Sequence, residues 1–215
     1  MTKSCPVSLD VFYPIVPNCA WLARLAPLGI KTVQLRLKDV AEADIAREVL
    51  MAVKLSATYG IQIVINDYWR EAIDTRAAFV HLGQEDLVTA DIKAIKQAGV
   101  KIGISTHSQE ELDIALSADP DYVALGPIYE TKLKAMAWAP QGLERISAWK
   151  AQIGALPLVA IGGITPERAG PVVAAGADSV AVITDFITAP HPESRVSLWL
   201  DWAARQRPLV SPITP

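Results

Sequence analysis

The sequence predicts an α/β protein built as a single closed (β/α)8 barrel of the TIM type, and three observations support this fold class. Short runs rich in Val and Ile alternate with longer Ala-rich segments of helical periodicity, which is the pattern of parallel βαβ units. Several helical segments end at a glycine just before the next run, where a helix can close in a left-handed residue. Eight such units fit into 215 residues, the size expected of one barrel.

Each apolar run is a candidate strand of the barrel. In chain order the eight predicted strands cover 11–16, 32–37, 61–66, 78–83, 101–106, 121–126, 157–163 and 178–184. An open doubly wound sheet is the alternative, but its first βα turn often carries a Gly-rich fingerprint, and this chain reads PIVPNCAW there. The barrel domain is predicted to span 1–205, and 206–215, with three prolines and no periodicity, is predicted to be a flexible tail.

Composition narrows the functional classes. A net charge of −3 gives no bulk attraction to nucleic acid or to an anionic membrane. Charges, Pro or Gly interrupt every apolar run, and the N-terminus MTKSCPVSLD lacks the apolar stretch of a signal peptide. Cys5 and Cys19 form no CxxC pair and are predicted to be ordinary thiols. We therefore expect a cytoplasmic, single-domain protein, and a homo-oligomer stays open.

The second run, TVQLRLK, has an unusual polar face. Gln34, Arg36 and Lys38 alternate with three apolar residues, and side chains alternate faces along a strand. In an antiparallel edge strand such a face would simply be wet, whereas a parallel sheet is covered on both sides. If the apolar residues pack on the helices, the polar ones point into the barrel mouth. Two cations there call for an anion, from the protein or from a ligand.

Two carboxylates follow consecutive runs, Asp67 after the third and Asp86 after the fourth. Each taken alone fits a helix N-cap. Together, at the ends of neighbouring strands, they are placed to approach one metal ion, and Mg²⁺ is typically held by one or two carboxylates plus substrate phosphate oxygens. The pair therefore predicts a magnesium site facing the same anion as Arg36 and Lys38.

Other strand ends add weaker signals. Gly162 and Gly163 stand where the seventh run meets a helix, a recurrent phosphate site in such barrels, although a tight turn explains them equally. The segment 127–141 is long for a βα loop and carries lysines that could reach a phosphate as a lid or simply be solvated. His81 and His107 have no zinc spacing and are predicted to be structural or to support the site from behind.

The motifs QLRLK, INDYW, HLGQEDL, GISTH, GPIYET with APQGL, VAIGGIT and GADSVAVIT occur in this order, and together they closely resemble the thiamine-phosphate synthase family. The resemblance runs from about Tyr13 to Ile187. It implies a transferase that joins a hydroxymethylpyrimidine diphosphate to a thiazole phosphate, carboxylated or plain, by dissociative substitution at the pyrimidine CH2, with Mg²⁺. A thiazole tautomerase and a non-catalytic thiamine-phosphate-binding barrel are the alternatives.

The resemblance also implies a role for individual residues. It implies that Asp67 and Asp86 ligate the metal. The catalytic set it implies is Arg36, Lys38, Ser105 and Lys134. The substrate-binding set it implies is Gln34, Arg36, Lys38, Asn66, Ser105, Thr131, Lys134, Gly163, Ile183 and Thr184.

Three positions depart from the family pattern. The lid pattern PTxTK reads Glu130 to Lys134 here, so that Glu130 replaces the proline and Leu133 replaces the second threonine. The small pattern ISA of the last strand ends in Asp185, which would place a carboxylate near the expected thiazole phosphate. We expect these changes to affect binding of the thiazole rather than of the pyrimidine diphosphate.

Overall fold

The computed structural model describes residues 9–38, 40–131 and 138–206. Eight parallel strands form a closed barrel in chain order, and β8 returns to β1. The closing ladder pairs Phe12 with Val180 and Pro14 with Val182. The predicted (β/α)8 fold is confirmed.

All eight predicted runs form strands, and seven of the strands are one or two residues shorter than the run at one or both ends. The strands are β1 Phe12–Val16, β2 Thr32–Leu35, β3 Gln62–Asn66, β4 Phe79–Leu82, β5 Lys101–Thr106, β6 Tyr122–Leu125, β7 Leu158–Ile161 and β8 Ser179–Val182.

Helices connect the strands and cover the outside of the barrel. They are α1 Cys19–Leu25, a 3-10 turn Ala26–Leu28, α2 Glu42–Tyr59, α3 Trp69–Asp74, α4 Gln84–Leu87, α5 Ile92–Gln97, α6 Gln109–Ser117, α7 Gly142–Ile153, α8 Pro166–Ala174, α9 Thr184–Ile187 and α10 Pro192–Gln206. None of the helices in the described part of the chain combines the length and apolar character that a membrane crossing requires. The rest of the predicted tail, 207–215, lies outside the described residues.

The apolar residues form two layers, because side chains alternate along each strand. The larger layer lies between the strands and the helices and includes Val33, Leu35 and Leu37 of the second run. The smaller layer fills the barrel interior and contains Tyr13, Ile15, Val64, Phe79, Tyr122, Ala124, Val159 and Ala181. The apolar face of the second run thus packs on the helices, which leaves its polar face for the interior and the mouth.

The long connection between β6 and α7 is anchored at its base. Gln141 donates its amide to the carbonyl of Pro127 at 2.7 Å, and Gly142 donates to Ile128 at 3.1 Å. These bonds bring the two described ends of the connection together beside the ends of β6 and β7. Residues 132–137, with the predicted ligand Lys134 as well as Lys132 and Leu133, lie outside the described residues.

Candidate active site

The three polar residues of the second run lie at successive depths from the barrel interior to its rim. Gln34 is only 3% exposed, and its Nε2 donates to the Tyr13 hydroxyl at 2.9 Å. Arg36 is half-buried, and Lys38 is exposed with its Nζ 3.7 Å from Oδ2 of Asp67. Two cations and one amide therefore face the mouth from the same strand end.

Asp67 occupies an unusual backbone conformation. Its φ is 67°, in the left-handed region that L-residues other than Asn and Asp rarely adopt. Its amide donates to the carbonyl of His81 at 2.9 Å, and its carbonyl accepts from the Trp69 amide at 2.8 Å. The N-cap position of α3 is occupied by Tyr68 instead. Asp67 is thus not a helix cap, and its strained backbone turns the carboxyl group toward the mouth.

Asp86 serves both interpretations that the sequence left open. Its Oδ2 accepts from the Gly83 amide at 3.0 Å, so that it caps the one-turn helix α4. Its carboxyl group is also a hydrogen-bonding neighbour of Asp67. Burial, and then the charge of Asp86, raise the pKa of Asp67 to about 6, against the smaller opposing effect of Lys38.

The carboxylate pair fits a magnesium ion, because two ionised carboxylates in contact repel each other unless a cation lies between them, and Mg²⁺ commonly takes one or two protein carboxylates. No group of three or more His, Cys, Asp or Glu that could hold a metal is found within residues 9–38, 40–131 and 138–206. The described protein would therefore supply two carboxylates and leave the remaining positions to water and substrate oxygens.

Five interior side chains, Gln34, Tyr13, Tyr122, His81 and Ser105, form what we call the interior network. The hydroxyls of Tyr13 and Tyr122 lie 3.1 Å apart, and the Tyr122 hydroxyl lies 2.8 Å from Nδ1 of His81. Nε2 of His81 lies 2.8 Å from Oγ of Ser105. Asn66, which is paired with His81 across the β3–β4 ladder, is 6% exposed beside this network.

Sequence reasoning missed the two tyrosines of the interior network and assigned His81 only loosely. The signal was available, since a tyrosine in an otherwise apolar strand, as in VFYPIV and DYVALG, needs a partner for its hydroxyl once it is buried. Burial lowers the pKa of His81 to about 4, with a further decrease caused by the Arg36 charge. His81 is thus a neutral, buried member of the site.

Gly103 on β5 makes room for the interior network. A Cβ at this position would lie 1.9 Å from Cζ of Tyr122 and 2.4 Å from its hydroxyl. The Tyr122 ring therefore crosses the barrel over the backbone of Gly103, and any side chain there would displace it.

We expect Gly103→Ala to lower the free energy of unfolding by about 1–3 kcal/mol, the usual cost of overpacking a core. Urea unfolding measures it. The comparison is Gly170→Ala in α8, where a Cβ meets nothing within 4 Å apart from its chain neighbours. Its only strain comes from the following Pro171, so that it should cost less than Gly103→Ala. Equal unfolding curves for the two variants would contradict the tight approach of Tyr122.

The turn after β7 is built on two left-handed glycines that pack against the connection after β6. Gly162 and Gly163 have φ values of 104° and 66°. A Cβ on Gly162 would lie 2.6 Å from Pro127, and one on Gly163 would lie 2.5 Å from the carbonyl oxygen of Glu130. The close approach that requires glycine here is therefore an approach of backbone to backbone, which fits the tight-turn interpretation.

A cation that the sequence analysis did not single out lies beside this turn. Arg168 donates from Nη1 to the carbonyl of Gly163 at 3.3 Å, and its guanidinium lies 5.2 Å from the ring centre of Tyr129. Arg168 and Tyr129, together with Glu130 and Thr131, line a surface depression next to the ends of β6 and β7. The expected thiazole-phosphate residue Thr131 thus lines this depression, and Gly163 is bonded to Arg168 at its edge.

Ile183 and Thr184 lie at the end of β8. Ile183 packs against the apolar residues of the barrel interior, and Thr184 is the first residue of α9. Both lie at the mouth, next to the turn after β7, because β7 and β8 are neighbours in the barrel.

The carboxylate of Asp185, which is expected near the thiazole phosphate, is bonded to two residues of α10. It accepts from Nε and Nη2 of Arg195, both at 2.8 Å, and from Nε1 of Trp199 at 2.7 Å. Arg195 also reaches Glu167 in the first turn of α8 at 3.2 Å and lowers the pKa of that carboxyl to about 2. The charge of Asp185 is therefore neutralised by α10, and Arg195 links the segments that follow β7 and β8.

We expect Asp185→Ala to destabilise the fold by about 2–3 kcal/mol, because it leaves a partly buried guanidinium and an indole N–H without their acceptor. It should not strengthen thiazole-phosphate binding. Thermal unfolding and the Michaelis constant for the thiazole measure the two effects, with Asp201→Ala on the exposed side of α10 as control. A stable variant that binds the thiazole more tightly would support the expectation that Asp185 weakens thiazole binding.

The fold and the mouth define a class before any relative is considered. The chain is a (β/α)8 barrel that gathers two carboxylates, two cations and a buried polar network at the C-terminal ends of its strands, where barrel enzymes hold their active sites. The class is therefore a barrel enzyme whose mouth combines positive and negative side chains.

Comparison with known proteins assigns the particular family. The family model described as "Thiamine monophosphate synthase" matches residues 12–186. A thiamine-phosphate synthase of Rhizobium etli is 55% identical over 192 residues, covering 89% of this chain and 94% of the relative. One of Salmonella dublin is 44% identical over 191 residues, covering 89% and 90%. The chain therefore belongs to the thiamine monophosphate synthase family and is a transferase, a thiamine-phosphate synthase.

Solved structures show the same fold. The thiamine phosphate pyrophosphorylase of Pyrococcus furiosus superposes with a TM-score of 0.77 at 24% identity, covering 90% of this chain and 95% of that one. A 3-hexulose-6-phosphate synthase gives a TM-score of 0.65 at 12% identity, covering 90% and 99%. At these identities the similarity concerns the fold alone.

Proposed function

We propose that the mouth of this barrel couples a hydroxymethylpyrimidine diphosphate to a thiazole phosphate, and that the residues described above divide the work. The observation that carries the proposal is the ion pair of Lys38 with Asp67 at 3.7 Å, with Asp86 near enough for its charge to raise the pKa of Asp67. Such a cluster of acids and cations at strand ends suits a diphosphate that arrives with a divalent metal ion.

The leaving diphosphate is held by the cations of the mouth. Arg36 and Lys38 approach it from β2, and Asn66 donates from the end of β3. The family resemblance adds Lys134, which lies outside the described residues. Asp67 and Asp86 would hold Mg²⁺, whose positive charge would stabilise the departing diphosphate. A preorganised charge of this kind contributes about 3–4 kcal/mol to the transition state when it is removed singly.

The two heterocycles occupy different sides of the mouth. Gln34 and Ser105 hold the pyrimidine from β2 and β5, close to the interior network. Thr131, Gly163, Ile183 and Thr184 hold the thiazole phosphate beside β7 and β8, where Arg168 adds a cation at the same depression. Bringing both rings together converts a bimolecular step into a nearly unimolecular one, which supplies a large part of the rate enhancement.

The bond changes require no protein nucleophile. The C–O bond of the pyrimidine CH2 breaks, and its electron pair leaves with the diphosphate. The electron-rich aminopyrimidine ring delocalises the resulting positive charge. The thiazole nitrogen then donates its lone pair to the CH2 carbon, and the new C–N bond makes the thiazolium. The cations around the diphosphate favour this order because they stabilise the leaving group before attack.

A coupled assay tests the proposal directly. Purified protein is mixed with both substrates and Mg²⁺, and diphosphate and thiamine phosphate are measured together. We expect the two products in equal amounts, and neither when a substrate or the metal is omitted. Thiazole isomerisation without diphosphate release would favour the tautomerase alternative, and binding without turnover would favour the non-catalytic barrel.

Metal binding should weaken in acid. Asp67 must be ionised to ligate a metal, and its pKa is raised to about 6 by burial and by Asp86. We therefore expect the affinity of the ligand-free protein for Mn²⁺, followed by electron paramagnetic resonance, to fall about tenfold per pH unit below this value. The Asp67→Asn variant is the control, because its weak residual binding should lack this step. A flat profile between pH 5 and pH 7 would contradict the role of Asp67.

We also propose that the protein works in the cytoplasm. Support comes from the chemistry of the substrates, since phosphorylated heterocycles are charged and do not cross a lipid bilayer unaided. Cell fractionation with an antibody to the native protein tests the location.

A further inference from the structure

The interior network crosses the barrel in one unbroken row of hydrogen bonds, from Gln34 on β2 to Ser105 on β5. Its three inner members are almost completely enclosed: Tyr13 and Tyr122 are 1% and 0% exposed, and His81 is 7% exposed. No carboxylate takes part in the row. Of its two ends, Ser105 is half-buried and Gln34 is 3% exposed, and under the proposed function both contact the pyrimidine.

The row has a direction, because each hydroxyl carries a single proton. The Gln34 amide donates to Tyr13, so that the proton of Tyr13 is left for its other neighbour, the hydroxyl of Tyr122. The proton of Tyr122 then goes to Nδ1 of His81. If either tyrosine donated in the opposite direction, its proton would point at a group that is itself donating to it. That would leave a buried donor without an acceptor, which is costly.

The direction continues through the histidine. A neutral imidazole carries one N–H, and an Nδ1 that accepts from Tyr122 leaves that N–H on Nε2. Nε2 then donates to Oγ of Ser105. The Ser105 hydroxyl, having accepted this bond, has its own proton free for a ligand in the mouth.

We infer that the interior network is a directional relay that fixes the hydrogen-bonding character of both ends of the pyrimidine site, making Ser105 a donor and leaving the Gln34 carbonyl oxygen as an acceptor. Tyr13, Tyr122 and His81 are positioning residues that act through these two ends. Gly103 belongs to the same device, since only a residue without a side chain lets the Tyr122 ring lie across the barrel.

This polarity specifies the class of ligand. It suits a heteroaromatic ring that offers a ring nitrogen as an acceptor to Ser105 and an exocyclic amino group as a donor to Gln34, as an aminopyrimidine does. An oxo-pyrimidine of the same shape presents the reverse pattern, with a ring N–H and a carbonyl. The inference rests on the proposed function for the identity of the ring, but not for the direction of the row.

The tautomer of His81 reports the direction in ligand-free protein. The chain has three histidines, so that ¹⁵N-histidine labelling gives a small set of ring signals, and His81→Asn identifies the pair that belongs to this site. At pH 8 the ring is neutral, because burial lowers the pKa of His81 to about 4. We expect a protonated Nε2 and a bare Nδ1. A protonated Nδ1, or an even mixture of both tautomers, would overturn the inference.

A variant then tests whether the tautomer of His81 is determined by Gln34, at the far end of the interior network. Gln34→Glu replaces the donating amide with an acceptor. Tyr13 should then donate to the carboxylate and Tyr122 to Tyr13, so that Nδ1 of His81 becomes protonated although residue 34 does not touch it. Gln97→Glu, at the exposed end of α5, is the matched control and should leave His81 unchanged. If the Gln34→Glu variant is too unstable for spectroscopy, the measurement on the wild type alone decides the direction. An unchanged tautomer in the folded variant would refute the relay.

Kinetics separate the relay from a merely structural role. Tyr13→Phe should raise the Michaelis constant for the pyrimidine diphosphate about tenfold, the equivalent of one well-placed hydrogen bond, and leave the thiazole constant unchanged. Equal changes in both constants would indicate loosened structure and count against the relay. If the wild type releases no diphosphate at all, the proposed function fails, while the tautomer measurement still decides the direction of the row.

Discussion

Replacing Asp67 with asparagine is expected to reduce turnover by at least about 100–1000-fold while the folded protein becomes more stable. The loss follows from removal of one of two metal-ligating carboxylates, and it corresponds to roughly 3–4 kcal/mol of transition-state stabilisation. Asparagine preserves the shape of the side chain and tolerates the left-handed backbone found here, φ 67°. The barrel should therefore form normally.

The gain in stability has a definite pH dependence. The pKa of Asp67 is raised from 3.8 to about 6, which means that its ionised form is less favourable in the folded state than in the unfolded state. Above pH 6, in metal-free buffer, the free energy of unfolding of Asp67→Asn should be higher than that of the wild type by on the order of 1–3 kcal/mol. The difference should disappear below about pH 4, where Asp67 is protonated in both states. Urea unfolding at pH 4 and pH 8 measures both limits.

Two controls make the Asp67 result specific. Asp86→Asn should also lose turnover, but it weakens the cap of α4 and so gains less stability or none. Asp201→Asn, on an exposed face of α10, should change neither quantity. Full activity of Asp67→Asn after treatment with a chelator would remove the basis for a metal at this pair.

Replacing Arg36 with alanine is expected to lower kcat/KM for the pyrimidine diphosphate by about 100–1000-fold, with little effect on the Michaelis constant for the thiazole. Arg36 is half-buried at the mouth, and its charge acts on both Asp67 and His81. A guanidinium in such a position loses little to solvent screening, so that its removal should be felt in the transition state, where the diphosphate gains charge.

Three further variants show how much of the loss of activity is specific to the guanidinium group of Arg36. Arg36→Lys should recover only part of the activity, because an ammonium group cannot make the two parallel hydrogen bonds of a guanidinium. Lys38→Ala should show a smaller loss, since Lys38 has a side chain that is 51% exposed. Arg205→Ala, exposed near the end of α10, is the control. An unchanged affinity for the pyrimidine diphosphate in Arg36→Ala would remove this residue from the site.

The comparison of the sequence with the structure is most instructive at three residues. The alternation in TVQLRLK was enough to turn Gln34 inward, because an apolar face on β2 can only pack against the helices. Nothing local indicated that Asp185 would be held by Arg195, ten residues further along the chain on α10. The sequence showed that Asp185 departs from the family pattern. It did not show that Arg195 would neutralise the charge of Asp185, because that contact depends on how α10 packs.

Gly103 is a second residue whose role could not be predicted from the sequence around it. In the sequence it is one glycine in an apolar run, with no sign of what it accommodates. In the barrel its missing side chain makes room for Tyr122, which belongs to the next strand and whose hydroxyl meets that of Tyr13 across 109 positions of sequence. A requirement of this kind arises from packing between strands and leaves no local signature.

The sequence by itself determined the order of strands and helices, the barrel and the set of polar residues at the strand ends, because periodicity and turn residues act over a few neighbouring positions. The tertiary structure alone decided which of those polar groups meet. It brought Asp67 against Asp86, joined Gln34 to Ser105 through buried residues, and drew Asp185 away to Arg195. Those outcomes depend on closing the barrel, which places side chains from distant positions in an enclosed space where each buried polar group must find a partner.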